Sequence, residues 1–155
     1  MFLRVVSTNT KLPVVIEQVV ETDFKNITKK RYSFNWKIEK GRTIYKLKLK
    51  HETDILGLMS LTFYENEQRI EINLLAVVKE QIGINKKLDG IAGNLIAYAA
   101  KKAINCFGAF AAISLIPKTE LKLHYIQKYG FENAGISLFM EGDKLLKIIK
   151  EYNYD

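Results

Sequence analysis

In the first half of the chain apolar and polar positions alternate; after Val78 the apolar residues recur at intervals of three and four. The β-branched run Val14 to Val20 predicts a short strand, and Thr22 or Asp23 is placed to cap a brief helix to about Lys30. Tyr32, Phe34, Trp36 and Ile38 alternate with polar residues, Lys40-Gly41 marks a turn, and Ile44 to Leu49 alternates again, so strand, turn, strand is expected. His51 to Asp54 is turn material, Ile55 to Tyr64 a further strand, Glu65 to Gln68 a turn and Arg69 to Val78 another strand. An antiparallel meander follows from these elements.

Beyond Val78 a polar, glycine-containing loop, Lys79 to Asp89, leads into Gly90 to Asn105, where Ile91, Leu95, Ile96, Ala99 and Ala103 hold helical spacing. Phe110 to Ile116 is a short apolar run between Gly108 and Pro117, the pattern of a buried strand parallel to its predecessor across a helical crossover. A helix from near Thr119 to Gly130, a strand over Ile136 to Met140 and a helix from Asp143 to Tyr152 complete the reading. No repeat, low-complexity tract or linker interrupts residues 1–155, so one α/β domain with a mixed sheet is expected.

Composition changes this picture in two respects. A formal charge of +7 favours acidic partners, whether nucleic acid, an anionic surface or a phosphate-rich cofactor. Cys106 is the one cysteine, which excludes an intramolecular disulfide and predicts a reducing, cytoplasmic setting; within its apolar stretch it reads as a small buried residue. The N-terminus lacks a signal-peptide pattern, and the longest apolar run is short of the roughly 20 residues of a bilayer span. A soluble chain with no membrane partner is expected.

Lys87-Leu88-Asp89-Gly90-Ile91-Ala92-Gly93 follows a strand and opens an amphipathic helix. Glycines there permit close backbone approach, and exposed N–H groups suit phosphate oxygens. Lys86 and Lys87 lie at the positive end of the helix dipole, an unfavourable place for cations unless an anion sits between them or Asp89 offsets them. The stretch resembles the pyrophosphate-binding motif of the GNAT acetyltransferase superfamily, Gln/Arg-x-x-Gly-x-Gly/Ala, with Lys87, Gly90 and Ala92 in the three defined places. Leu74 to Val78 resembles that family's fourth strand, Phe110 to Ile116 its fifth, and Tyr125 to Phe131 its helix ending in Tyr-x-x-x-Gly-Phe. Three features depart from the pattern: a longer loop over Lys79 to Lys86, one extra residue between Tyr125 and Gly130, and a C-terminal helix where many members have a seventh strand.

The resemblance implies a GNAT-like fold: an N-terminal antiparallel meander, a β-α-β acyl-CoA-binding unit and a C-terminal helix. It implies that acetyl-CoA (coenzyme A) is bound by Lys86 to Gly93 and by backbone groups of Val77 and Val78, one of whose N–H groups would stabilise the thioester oxyanion. The activity implied is transfer of acetyl to a primary amine, small-molecule or protein-borne, by direct attack in a ternary complex. The amine must lose a proton and the thiolate gain one; Glu71, with Asn73 orienting a relaying water, is the candidate base, and Tyr125 the candidate acid, with His124 and Tyr129 as competitors. Glu71 and Asn73 are expected opposite the inward Ile70, Ile72 and Leu74. A non-catalytic acyl-CoA-binding or partner-docking module is the alternative. No His, Cys and carboxylate cluster has zinc spacing, so no metal is expected. The aromatics do not interleave with basic residues as on an RNA-binding sheet, which disfavours nucleic acid. A homodimer is left open.

Overall fold

Alternation over the stretch from Thr43 to Val77 builds the antiparallel centre of the molecule. The computed structural model describes residues 1–152. Its strands are β1 (Phe2–Val5), β2 (Lys11–Gln18), β3 (Thr43–Leu49), β4 (Gly57–Tyr64), β5 (Arg69–Val77), β6 (Leu88–Asp89), β7 (Ala112–Leu115), β8 (Glu132–Ala134) and β9 (Ser137–Glu141), and its helices α1 (Ile91–Phe107), α2 (Lys122–Tyr129) and α3 (Asp143–Tyr152). One mixed sheet runs in the order β6-β1-β2-β3-β4-β5-β7-β9-β8. The β5–β7 pair is parallel, with α1 as its crossover, and the other pairs are antiparallel.

The core sits where α1 lies on the sheet. Ile91, Leu95, Ile96, Ala99, Ala100 and Ala103 are buried along one stripe, and the small alanines let the helix approach closely. Gly57 on β4 shows how closely: a Cβ there would meet Ile91 at 2.7 Å and Leu95 at 3.0 Å. On the same face the ring of Tyr45 packs against Tyr98, with centroids 5.1 Å apart. Leu58, Met59, Ser60 and Leu61 are all buried, so β4 is covered from both sides. Cys106 falls off the helix's buried stripe and is exposed, contrary to its expected place in the core. No helix among the described residues is long and apolar enough to cross a membrane.

The segment between β2 and β3 departs from the expected helix and strand. Glu21–Asn26 is a 3-10 helix, with Asp23 Oδ2 accepting from Val20 N–H at 2.8 Å. Tyr32 to Ile38 is not a strand, because β3 already pairs with β2 and β4 and offers no free edge. Instead Phe34 has a positive φ of 75°, the Asn35 side chain caps Lys37, and Trp36–Glu39 forms a 3-10 turn. The alternation marks which residues turn inward: Tyr32 and Trp36 are buried, while Ile38 is exposed. The Tyr32 hydroxyl donates to Ile55 O and the Trp36 indole to Ser33 O.

Four further boundaries differ from expectation. β1, its partner β6 and the short β8 carry too few alternating residues to announce themselves, unlike β2, which overlaps the expected Val14 to Val20 strand. Phe110 belongs to a 3-10 turn and is exposed.

Lys46, on the face opposite α1, is nearly buried and bonds both Asp23 oxygens at 3.0 and 2.8 Å, pinning the Glu21–Asn26 turn to the sheet. Burial works against the Asp23 carboxylate, but the Lys46 ammonium and the Val20 N–H outweigh it and hold its pKa below the usual range. A depressed carboxyl stabilises the fold above the unfolded-state value of about 3.9, and that contribution is lost as pH falls through the folded-state value. Asp23→Asn is therefore expected to cost about 1.5–3 kcal/mol at pH 7 in urea unfolding, with the gap from the parent narrowing below about pH 4. A gap that stays constant with pH would remove the ion pair from the account.

Candidate functional site

The parallel ladder between β5 and β7 covers only Arg69↔Ala112 to Ile72↔Leu115. Two local features end it. Asn73 is an extra residue on β5, since Leu61 pairs with Ile72 while Ser60 pairs with Leu74, and such a bulge bends its strand. On β7 the chain reaches Ile116-Pro117, and proline has no N–H for a ladder. The strands part, and a cleft of about 330 Å³ opens between Asn73–Val77 on one side and Leu115–Pro117 on the other.

The open edge of β5 carries unpaired backbone. Val78 N–H donates to Leu56 O at 2.9 Å, and the direction of backbone groups alternates along a strand. Val78 and Ala76 are thereby turned toward β4, and Leu75 and Val77 turn their N–H and C=O groups to the gap. Val77 lines the cleft. Val78 is buried, is not a wall of the cleft and has its N–H already bonded to β4. Leu75 takes the place that sequence reasoning gave to Val78; the bulge at Asn73 also makes Leu74 line the cleft instead of continuing the inward row of Ile70 and Ile72.

At the start of α1, Gly90 adopts φ 102° as the N-cap, a conformation that favours glycine. Its carbonyl accepts from Asn94 N–H, which leaves the first-turn N–H groups of Ile91, Ala92 and Gly93 without intrahelical partners. Ala92 faces the cleft, whereas Ile91 is buried against Gly57. Upstream the loop is closed by its own side chains. Gln81 Oε1 accepts from the N–H groups of Lys87 and Leu88 at 2.9 and 3.0 Å, and Lys86 pairs with Asp89 at 2.8 Å. The Lys86 hydrogen bond, working against burial, holds the Asp89 carboxyl below its usual range.

Gly93 makes its close approach to another part of the chain: a Cβ there would fall 2.2–2.7 Å from the ring and hydroxyl of Tyr152 on α3. Asn94 is fully buried and its Nδ2 donates to Phe2 O at 3.0 Å and Gly90 O at 2.7 Å, tying β1 to the helix start. A second hollow, of about 250 Å³, lies on this side and includes Asp89 and Glu151 among its walls. Arg4 shares those walls and Asp89 is paired with Lys86, so the hollow carries charge of both signs, while Ala92 puts the helix start on the wall of the cleft.

α2 supplies the titratable walls. His124, Tyr125 and Tyr129 line the cleft and form an aromatic cluster, with centroids 6.1 Å apart for His124 and Tyr125 and 5.8 Å for Tyr125 and Tyr129. Burial pushes the pKa of Tyr125 up, and that of Tyr129 further, so both phenols stay protonated at neutral pH. The extra residue before Gly130 does not turn Tyr125 away from the gap. Glu71 is not a wall of the cleft. It pairs with Arg69 at 3.4 Å, and Arg69 also bonds Ser114 and Glu67. Asn73 does line the cleft, with its Nδ2 donating to Thr62 Oγ1 at 2.7 Å. Phe34, on the segment carried across the other face of the sheet, closes the cleft there.

No known protein family and no curated protein matches the chain in sequence. In structure it is similar to a point mutant of the spermidine N-acetyltransferase SpeG from Vibrio cholerae, with TM-score 0.63 and 13% identity over 86% of this chain and 96% of that one. An IAA acetyltransferase from Bacillus cereus matches with TM-score 0.60 and 18% identity over 83% and 99%. A mutant AtaT toxin bound to the C-terminus of the antitoxin AtaR and acetyl-CoA matches with TM-score 0.57 and 14% identity over 90% and 98%. The chain has the fold of the GNAT acetyltransferases, with the mixed sheet and C-terminal helix described above.

The Gly93–Tyr152 contact predicts a non-additive pair. Gly93→Ala should destabilise the fold by about 1–3 kcal/mol through overpacking. In a Tyr152→Ala background the same change should be neutral or stabilising by up to about 1 kcal/mol, because alanine is the better helix former. A double-mutant cycle read by chemical denaturation checks this; additive effects would mean that the ring does not rest on the glycine.

Proposed function

We propose that the chain is a GNAT-type N-acetyltransferase, one acyltransferase domain over residues 1–155, that moves an acetyl group from acetyl-CoA to a primary amine by direct attack in a ternary complex. The observation that carries this reading is the parted β5–β7 seam: the unpaired backbone of Leu75 and Val77 lies along a cleft that has free helix N–H groups at Ala92 and the Tyr125 phenol on its walls. The residues suit an elongated acyl thioester with a phosphorylated end. Leu75 and Val77 would bond the extended arm, and the N–H groups of Ile91 to Gly93, with Lys86 and Lys87 nearby, would hold phosphate.

Acetyl-CoA, when bound, supplies the activated acyl group. The chain's own residues then have three tasks. A backbone N–H of Leu75 or Val77, fixed by the strand, stabilises negative charge on a carbonyl oxygen at the open edge. Tyr125, kept protonated by burial, donates to the departing thiolate. His124 takes the amine's proton, since it lines the cleft where Glu71 does not; Glu71 acts at a distance by orienting Arg69 and Ser114. A second reading, an acyl-CoA-binding module without turnover, is favoured by one observation: no carboxylate is among the described walls of the cleft to serve as base.

The first test is melting temperature with acetyl-CoA, coenzyme A and ATP. Saturation at 100 times Kd stabilises the folded state by about 2.7 kcal/mol, a rise of roughly 5–10 °C for a chain of this size. A coenzyme-selective rise supports the reading, and an equal response to ATP or none would sink it.

Tyr125→Phe and His124→Gln are each expected to lower kcat by about 10²-fold or more with that thermal rise intact. If both retain full turnover, proton transfer lies elsewhere. If the parent binds coenzyme A but releases no thiol with any amine, the binding-module reading stands.

A further inference from the structure

The charges around the cleft say which amines it can receive. Among the described walls the ionisable side chains are Lys118, His124, Tyr125 and Tyr129, with no aspartate or glutamate. Of the carboxylates on neighbouring segments, Asp54 and Glu80 are engaged with Arg31 at 2.9 and 3.0 Å, Glu71 with Arg69 and Asp23 with Lys46, while Glu120, exposed beside Leu121, is not a wall of the cleft. Lys118 has no acidic partner among the described residues. Its ammonium lies 5.1 Å from the ring centroid of Phe34, the residue that closes the cleft from the face opposite α1. This places a cation beside Phe34 on the wall of the cleft. The mouth is otherwise apolar and open, with Phe34 38% and Ile116 57% exposed. Asn73 supplies a neutral acceptor, since its Oδ1 has no partner among the described residues.

We propose that the acceptor is a primary amine on a molecule that carries both an anionic group and an apolar one, and that Lys118 selects it by pairing with the anionic group. The proposal rests on the acetyl-transfer reading above. A polyamine is the acceptor this cleft is least suited to, because each further ammonium would be desolvated beside Lys118 with no carboxylate on the described walls to pair with. The amine nitrogen, held at Asn73, bonds to the acetyl carbon, the carbon–sulfur bond breaks, the amine's proton leaves to the base and the thiolate is protonated. The products are an N-acetylated anion and free coenzyme A, and the step needs no other reactant. Paired with Lys118, the anionic group sets KM, while Phe34 and Ile116 receive the apolar group.

The test uses the full chain with acetyl-CoA and reads thiol release for four amines: phenylalanine, the phenylalanyl ester of adenosine 5′-phosphate, phenylalaninamide and spermidine. Rates are expressed per deprotonated amine, and coenzyme binding is followed in parallel by thermal shift. At least one of the two anionic acceptors should exceed phenylalaninamide about tenfold in kcat/KM, as expected for one partly exposed charge pair, and spermidine should be the poorest. Which anionic acceptor leads distinguishes a carboxylate beside the amine from a more distant phosphate. Lys118→Glu should abolish the anionic advantage through KM and raise kcat/KM for spermidine, while Lys118→Gln should be intermediate. Preference for spermidine, or for the neutral amide, with the coenzyme-dependent thermal rise intact would overturn this proposal alone. Loss of that rise in the parent protein would overturn the acetyl-transfer reading and this proposal with it.

Discussion

A parallel seam stays closed only while each strand continues to offer backbone partners in register. At Asn73 one strand gains a residue, and at Pro117 the other loses a donor. The β5–β7 seam therefore opens in the interior of the nine-stranded sheet. Buried backbone groups left without partners cost free energy, so an opening of this kind is stable only where solvent or a ligand can reach it. The site residues are arranged around that one constraint: Leu75 and Val77 on its edge, Ala92 at one end, Tyr125 and His124 across from it, Phe34 beneath.

Around the opening the surrounding elements are fixed by unlike means. Apolar packing holds α1 to the sheet, with alanines setting the distance. The segment carrying Phe34 adds polar contacts to its buried Ile27, Tyr32 and Trp36: Lys46 to Asp23 at one end and the Tyr32 hydroxyl to Ile55 O further on. Such contacts are directional and few, which suits a segment that has to place a single aromatic ring against the cleft without forming an element of the sheet.

Much of this was legible in the sequence. The alternating runs over Ile44 to Leu49, Ile55 to Tyr64 and Arg69 to Val78 mark three strands because each has one face against a core, and the three-and-four spacing after Gly90 marks α1 for the same reason. The loop at Lys87 to Gly93 could be found from its glycines. What those glycines do could not be, because Gly93 answers to Tyr152, far along the chain, and no local pattern reports a long-range packing partner. Tyr32 to Ile38 shows the opposite failure: period two was present, but a strand also needs a free sheet edge. The displacement of Leu74 and the substitution of Leu75 for Val78 follow from one bulge at Asn73. A polar residue inside an apolar run was the available signal for it.

The start of α1 is held from two directions, by Phe2 through Asn94 and by Tyr152 through Gly93. These contacts join the helix start to elements near both ends of the described chain, and such long-range pairings form late because the intervening loop must close first. During synthesis, a chain that has exposed β5 and α1 has the strand edge and the helix but lacks the clasp that sets their final positions. The start of α1 therefore depends on α3 as well as on β1: until Tyr152 has docked, the turn at Gly93 lacks one of its two supports, and a chain shortened to before Tyr152 keeps only the Asn94 tether.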